Sequence, residues 1–291
     1  MSHRLADHGG WLNRLLITGG SSYLGQHLVP IAALNFELLH THFRNDPPSL
    51  LNAFRLDIRD RDTLWRLVSK WQPDIIIHLA GSNRTPDMEE VIRQGAENIR
   101  AVSEEYNCRV IHLSTDVVFD GRGGPYHEDD KPNPIHAYGR AKADSESIIS
   151  RYQNHVIIRT SLIYGLEKID RSTEWITNSL DNGETITLFE DQIRNPIWVE
   201  TLCLSCLELA TSDFTGTIHI AGHQALSRAE FGLKLLRWWG YDQLERLDIG
   251  RSSDHWPKDC RLNIDLASKS LATPMLGVDT VLQMTPRPNR H

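Results

Sequence analysis

Tyr138 and Lys142 stand four residues apart in a stretch rich in Ala, Ser and Glu, so a helix there places a phenol and an ammonium on one face. An ammonium beside a phenol favours the ionised phenol, lowering its pKa and making it a usable proton donor near neutrality. A hydroxyl lies just upstream. The octad Ser114-Thr115-Asp116-Val117-Val118-Phe119-Asp120-Gly121 closes the apolar run 110–113, which reads as a buried parallel strand. Open α/β sheets build their sites at the carboxyl ends of strands, so Thr115 is expected to face a ligand. A hydroxyl, a phenol and an ammonium at one strand end suit carbonyl reduction. A Tyr and a Lys at this spacing are by themselves usually a half-exposed helix face; the neighbouring motifs are what give the pair meaning.

Those motifs sit on a regular alternation. Short runs rich in β-branched residues or Leu at 14–18, 36–42, 52–56, 74–79, 109–113 and 155–160 read as strands. Segments of helical periodicity lie between most of them, at 23–34, 62–71, 88–106 and 138–152. The alternation predicts an α/β fold, a Rossmann-like doubly wound parallel sheet. After Gly165 the pattern loosens into helices at 172–181, 200–210 and 227–239 and strands at 185–189 and 217–221. The predicted division is a dinucleotide-binding domain over 14–165 with its sheet completed by about 196–222, a smaller substrate-binding lobe from 166–195 and 223–284, and tails at 1–13 and 285–291.

Directly after the first strand, Thr18-Gly19-Gly20-Ser21-Ser22-Tyr23-Leu24-Gly25 opens a helix. Aligned on the dinucleotide fingerprint, Gly19 is the tight-turn glycine and Gly25 lets helix and strand approach closely. Ser22 fills the middle position, where a small residue lets backbone amides reach a pyrophosphate, aided by the positive end of the helix. Ser21, Ser22, Tyr23 and Leu24 are therefore expected at the cofactor. The second strand ends His40-Thr41-His42-Phe43-Arg44 with no carboxylate before Asp46, and Arg44 could pair with a 2′-phosphate, which favours NADP (NADPH) over NAD. Asp57 and Ile58 follow the third strand and can receive the adenine edge. Leu79, Ala80 and Gly81 end the fourth, where small residues admit the cofactor closely. His40 and His42 share a strand face, but two His without a third ligand do not make a metal site.

Composition sets the outer bounds. The 291 residues carry 31 basic and 38 acidic side chains, a formal net charge of −7, with no long basic run, which argues against nucleic acid as a partner. No stretch is apolar enough to span a membrane and the first residues lack a signal-peptide core, so the expected location is the cytoplasm. The four cysteines are too sparse for a disulfide framework, and the pair Cys203 and Cys206 falls in an apolar stretch that reads as a buried helix.

With these residues in order, the chain resembles the extended short-chain dehydrogenase/reductases, and within them the dTDP-4-dehydrorhamnose reductase family, over about residues 14–264. The octad at 114–121 carries the resemblance, with Tyr126-His-Glu-Asp-Asp-Lys-Pro132 leading to Tyr138-Gly139 and Lys142, then Arg159-Thr160-Ser161, Tyr164-Gly165, Asp191-Gln192, Asn195-Pro196 and Gly216-Thr-Ile-His219. The resemblance implies Thr115, Tyr138 and Lys142 as the catalytic trio, with Lys142 also on the nicotinamide ribose. It implies hydride transfer from NAD(P)H to the C4 carbonyl of a nucleotide-linked 4-keto-6-deoxyhexose while Tyr138 protonates the oxygen.

Three positions depart from the family pattern. Val117 and Leu162 stand where aromatic residues are common, Leu162 removing a flat wall against which a sugar could lie, and Arg194, where a small residue is common, puts a cation near the pocket. With Ser82 they form the expected substrate contacts. An epimerase or dehydratase of the same superfamily is one alternative. A dinucleotide-binding regulatory subunit without activity, like the methionine adenosyltransferase β subunit, is another. The sequence leaves a homodimer open.

Overall fold

The computed structural model describes residues 12–287 apart from 48, 50, 82–84 and 242–243. The substrate contact expected at Ser82 and the tail residues 1–11 and 288–291 lie outside the described residues. The chain opens with β1 (Arg14–Thr18), α1 (Tyr23–Ala32), β2 (Glu37–His42), β3 (Ala53–Arg55), α2 (Arg61–Trp71), β4 (Ile75–His78) and α3 (Met88–Tyr106). It continues through β5 (Arg109–Thr115), α4 (Ala137–Ile149), β6 (His155–Thr160), β7 (Ile163–Tyr164), α5 (Arg171–Asp181), β8 (Ile186–Phe189), β9 (Ile193–Arg194) and β10 (Ile197–Trp198). The remainder is α6 (Val199–Thr211), β11 (Gly216–Ile220), β12 (Leu226–Ser227), α7 (Arg228–Trp238), β13 (Leu247–Gly250), α8 (Asp265–Ser270) and α9 (Val278–Met284).

Seven strands form one sheet in the order β11-β6-β5-β4-β1-β2-β3, and every pairing in it is parallel. Continuous apolar strands suit such a sheet because both of its faces are covered: Ile75 to His78 of β4 are all buried. On one face α1 and α6 pack Leu24, Leu28, Leu202, Cys203 and Cys206 against Leu15, Ile17, Ile75 and Ile77. On the other, α2, α3 and α4 pack Leu64, Val68, Ile99, Val102 and Ile149 against Leu16, Ile76 and Val110. Each such fully buried aliphatic side chain contributes about 1.5–3 kcal/mol of burial free energy.

Helix boundaries follow local chemistry. Asp60 accepts from the Thr63 amide and starts α2, while Gln72 ends it in the left-handed region at φ 54. Ser227 and Glu230 close a reciprocal capping box on α7. Beyond the sheet, three small pairings (β10-β7, β12-β9 and β13-β8) fold the chain after Gly165 over the carboxyl ends of the main strands. Leu188 and Leu235, from β8 and α7, are buried there in two smaller apolar clusters.

Candidate active site

The turn after β1 is shaped by contacts that leave no room for side chains. Gly19 has φ +76, and a Cβ on it would stand 2.8 Å from the Ala80 amide nitrogen. One on Gly25 would meet the Gly19 carbonyl at 2.5 Å, so α1 and β1 approach as closely as they do only with glycine here. Ser22 is the N-cap of α1 and its Oγ accepts the Gly25 amide at 3.1 Å. Tyr23 and Leu24, the first two helical residues, consequently present amides that have no intrahelical acceptor, at the positive end of the helix. This cradle fits a dinucleotide pyrophosphate.

A cavity of about 1330 Å³ begins at this turn and runs past the carboxyl ends of the strands. Gly19, Ser21, Ser22, Tyr23 and Leu24 line its start, and Arg44, Asp57, Ile58, Leu79, Ala80 and Gly81 line its flank. Thr115, Val117, Tyr138, Leu162 and Arg194 line its middle. Gly25 and Lys142 stand behind the wall rather than on it.

Thr115 is the last residue of β5, which runs two residues beyond the predicted end at 113. Its Oγ1 donates to Asp116 Oδ1 at 3.3 Å and accepts the Val117 amide at 3.4 Å, shaping a single 3₁₀ turn over 116–118. Tyr138 and Lys142 lie on α4, capped by His136, whose Nδ1 accepts the Gly139 amide at 3.0 Å. The Lys142 ammonium is buried and donates to the Leu113 carbonyl at 2.5 Å. Burial lowers its pKa to about 8 against the pull of Glu146 one turn on.

Lys142 does not lower the Tyr138 pKa as its helical spacing predicts. Burial, helped by the Asp116 carboxylate, pushes the phenol up to about 12. The ammonium spends its strongest hydrogen bond on a backbone carbonyl instead.

Behind these groups lies a buried polar layer. Glu146 is paired with Arg159 at 2.9 Å and accepts the Ser114 hydroxyl. Thr18 Oγ1 and His78 Nδ1 are 2.7 Å apart, His78 stacks on His112 at 5.3 Å, and His112 Nε2 meets Ser145 Oγ at 3.0 Å. Burial, and secondarily the Lys142 charge, lowers both imidazole pKa values, to about 3 for His78, so the pair is neutral. A chain of contacts thus links the turn after β1 to the helix that carries Tyr138.

Three further residues have partners distant or local that their sequence context does not announce. Arg44, the cation expected at a 2′-phosphate, is paired with Asp87, the N-cap of α3, which receives its two terminal nitrogens at 3.1 and 2.7 Å, and Arg59 joins at 3.0 Å. Asp57 is itself chelated by Arg59, at 2.7 Å for the shorter contact. Arg194 is not the free cation that its place among the expected substrate contacts requires. It is buried, donates to the carbonyls of Ile193, Pro257 and Lys258 at 2.8 Å each, and pairs with buried Asp116 at 3.4 Å. Asp116 also accepts Ser161 Oγ at 2.7 Å; burial raises its pKa while Arg194 opposes the shift. Tyr23 lines the cavity, but its hydroxyl donates to the Lys168 carbonyl at 2.8 Å, joining the start of α1 to the segment after β7.

The sequence reading missed His136, Arg228 and Trp256, all on the cavity wall. Only His136 carried a signal, as a cap-competent residue just before the Tyr138 helix. All four cysteines are free and buried, Cys203 and Cys206 on the buried helix expected for them, and burial raises each thiol, to about 12 for Cys108, Cys206 and Cys260.

A parallel sheet with a glycine cradle after its first strand and a Thr, a Tyr and a buried Lys at the end of its fifth defines an extended short-chain dehydrogenase/reductase. The chain belongs to the family described as RmlD substrate binding domain, whose profile matches residues 13–259. It is 28% identical over 241 residues to the probable low-salt glycan biosynthesis reductase Agl14 of Haloferax volcanii, covering 78% of this chain and 80% of that protein. It is also 28% identical over 233 residues to methionine adenosyltransferase 2 subunit beta of Danio rerio, covering 75% of this chain and 71% of that one. Among solved structures, that of a hypothetical dTDP-4-dehydrorhamnose reductase from Sulfolobus tokodaii is similar at a TM-score of 0.81 and 28% identity, covering 92% of this chain and 98% of that one.

Among the described residues, no helix is long and apolar enough to cross a membrane.

Proposed function

We propose that this chain is an NAD(P)H-dependent oxidoreductase that reduces the C4 carbonyl of a nucleotide-linked 4-keto-6-deoxyhexose to the alcohol, in the cytoplasm. The observation that carries the reading is one continuous cavity on which the glycine cradle, Thr115 and Tyr138 all open. The reduced dinucleotide, when bound, supplies a hydride to the carbonyl carbon. Residues 19–25 hold its pyrophosphate through backbone amides, and Leu79, Ala80 and Gly81 leave space beside it. Thr115 turns its hydroxyl proton from the long 3.3 Å contact with Asp116 to donate a hydrogen bond to the substrate oxygen. Tyr138 transfers its phenolic proton to that oxygen, so the products are a C4 hydroxyl and the oxidised dinucleotide. Lys142, charged below about pH 8, binds the nicotinamide ribose, as in the resemblance set out above. Residues 166–195 and 223–284 form the lobe that encloses the sugar nucleotide. Arg44 at the cavity edge favours NADPH.

Tyr138→Phe tests the assignment, because it keeps the ring and removes the proton. Single-turnover oxidation of NADPH with a 4-keto sugar nucleotide should slow by at least about 100-fold, the usual scale of general-acid help, with cofactor affinity unchanged. A variant that keeps the wild-type rate refutes the mechanism. The likeness to a methionine adenosyltransferase subunit supports a second reading, dinucleotide binding without turnover. Oxidation of NADPH by a 4-keto sugar nucleotide in the presence of the purified chain, with no partner protein added, eliminates it.

A further inference from the structure

Trp256 presents a large apolar ring, 54% exposed, at the cavity wall. It stands in the polar run Ser252-Ser-Asp-His-Trp-Pro-Lys258, outside any helix or strand. An indole left in water costs free energy that burial against another apolar surface would recover. The chain is nevertheless built to hold it there. On one side of Trp256, the Ser252 amide donates to Asp191 at 2.9 Å. On the other, the Pro257 and Lys258 carbonyls are fixed by buried Arg194, Lys258 Nζ reaches Asp191 at 2.9 Å, and the Asp259 amide donates to the Gly121 carbonyl at 2.9 Å. Arg194 rests in turn on Asp116, the residue after Thr115. The strut that shapes the Thr115 turn therefore also sets the height of the indole.

The ring meets His136 at 5.3 Å between centroids, and His136 stacks on Tyr138 at 6.3 Å with planes 14° apart. His136 Nδ1 accepts the Gly139 amide, so in the neutral ring the proton is on Nε2. That N–H is buried and meets no acceptor among the described residues. Next to the proton donor of the reaction the wall thus combines a flat apolar face with an unmatched hydrogen-bond donor, while Val117 and Leu162 beside it are aliphatic. A pyranose has the complementary surface, an apolar C–H face bordered by hydroxyl acceptors.

We propose that Trp256 and His136 form the hexose subsite: the indole covers one face of the sugar ring and His136 Nε2 donates to a sugar hydroxyl. The identity of the ligand as a sugar nucleotide rests on the function proposed above.

The test measures equilibrium binding of dTDP-glucose, of dTDP and of NADPH to wild type, Trp256→Ala, Trp256→Phe and His136→Asn by calorimetry, alongside KM for a 4-keto sugar nucleotide. Asn keeps the helix cap and withdraws the imidazole donor. Trp256→Ala should weaken dTDP-glucose binding about 10- to 100-fold, the range of a central aromatic contact, and raise KM to match. Trp256→Phe should recover most of this loss, and His136→Asn should cost dTDP-glucose about 10-fold. Binding of dTDP and NADPH should not move. Unchanged dTDP-glucose affinity in Trp256→Ala overturns the subsite, as does an equal loss for dTDP, which would put the indole on the nucleotide. A wild type that binds dTDP-glucose through Trp256 yet never oxidises NADPH would sustain the subsite while the proposed reaction falls. A wild type that binds no sugar nucleotide overturns both.

Discussion

Replacing Arg194 by Met separates a strut from a substrate ligand. Arg194 and Asp116 each expose only 5% of the side chain, and Met keeps much of the volume while removing the charge. Three backbone carbonyls lose a donor, and the Asp116 carboxylate keeps only the hydroxyls of Ser161 and Thr115 and the amide at the following turn. Removing one partner of a buried ion pair costs about 3–5 kcal/mol, because the other charge stays uncompensated. Against a total stability of roughly 5–15 kcal/mol this is a large fraction. At about 2–4 °C per kcal/mol, the melting temperature should fall by roughly 10 °C. Thermal unfolding followed by circular dichroism reads this directly. Asp116→Asn combined with Arg194→Met removes the stranded charge and should recover part of the loss, whereas two unrelated costs would simply add. A wild-type melting temperature in Arg194→Met, together with weakened dTDP-glucose binding, would refute the strut and return Arg194 to the substrate.

Two other outcomes follow from the charges in the site. The Lys142 ammonium is held below about pH 8 and lost above it, while the Tyr138 phenol keeps its proton up to about 12, so the rate should fall on the alkaline side only through Lys142. kcat/KM for the keto sugar nucleotide should decline with an apparent pKa near 8, and a flat profile to pH 9.5 would contradict that assignment. Arg44→Ala should weaken NADPH about 10-fold and leave NADH unchanged, the scale of one hydrogen bond to a charged group. Fluorescence titration of both nucleotides checks this, and equal losses would mean that Arg44 serves only its pairing with Asp87.

The residues that sequence reasoning placed well are those whose chemistry is local. Parallel strands such as β4 and β5 are largely apolar runs, broken by His78 and His112, so their ends, and with them Thr115 and Ala80, can be located to within about two residues along the chain. The glycine turn is legible for the same reason, since Ser22 and Gly25 act on neighbours within a few residues, although the approach of Ala80 that Gly19 admits comes from the next strand in the sheet. What could not be read is whatever depends on a partner far away. Arg44 finds Asp87 across 43 residues, and Arg194 finds Pro257 and Lys258 across 63 and 64. The two-residue strands β7, β9, β10 and β12 carry no periodicity of their own and exist because of the strands they meet. The Tyr138 pKa was misjudged because spacing on a helix says nothing of burial or of the Leu113 carbonyl that engages Lys142. Trp256 gave no signal because a single aromatic residue in a polar segment has no pattern to belong to.

Burial of the four cysteines has a practical reach beyond packing. Thiols pushed to about 12 in Cys108, Cys206 and Cys260, and higher still in Cys203, supply almost no thiolate near neutral pH, and the thiolate is the form that alkylating reagents attack. The folded chain is therefore close to inert toward maleimide dyes. One cysteine introduced at Asp254, whose side chain is fully exposed two residues from Trp256, would take up a single fluorophore without any native cysteine being removed. The fluorophore would report from the rim of the cavity as ligands enter, in a molecule otherwise unaltered.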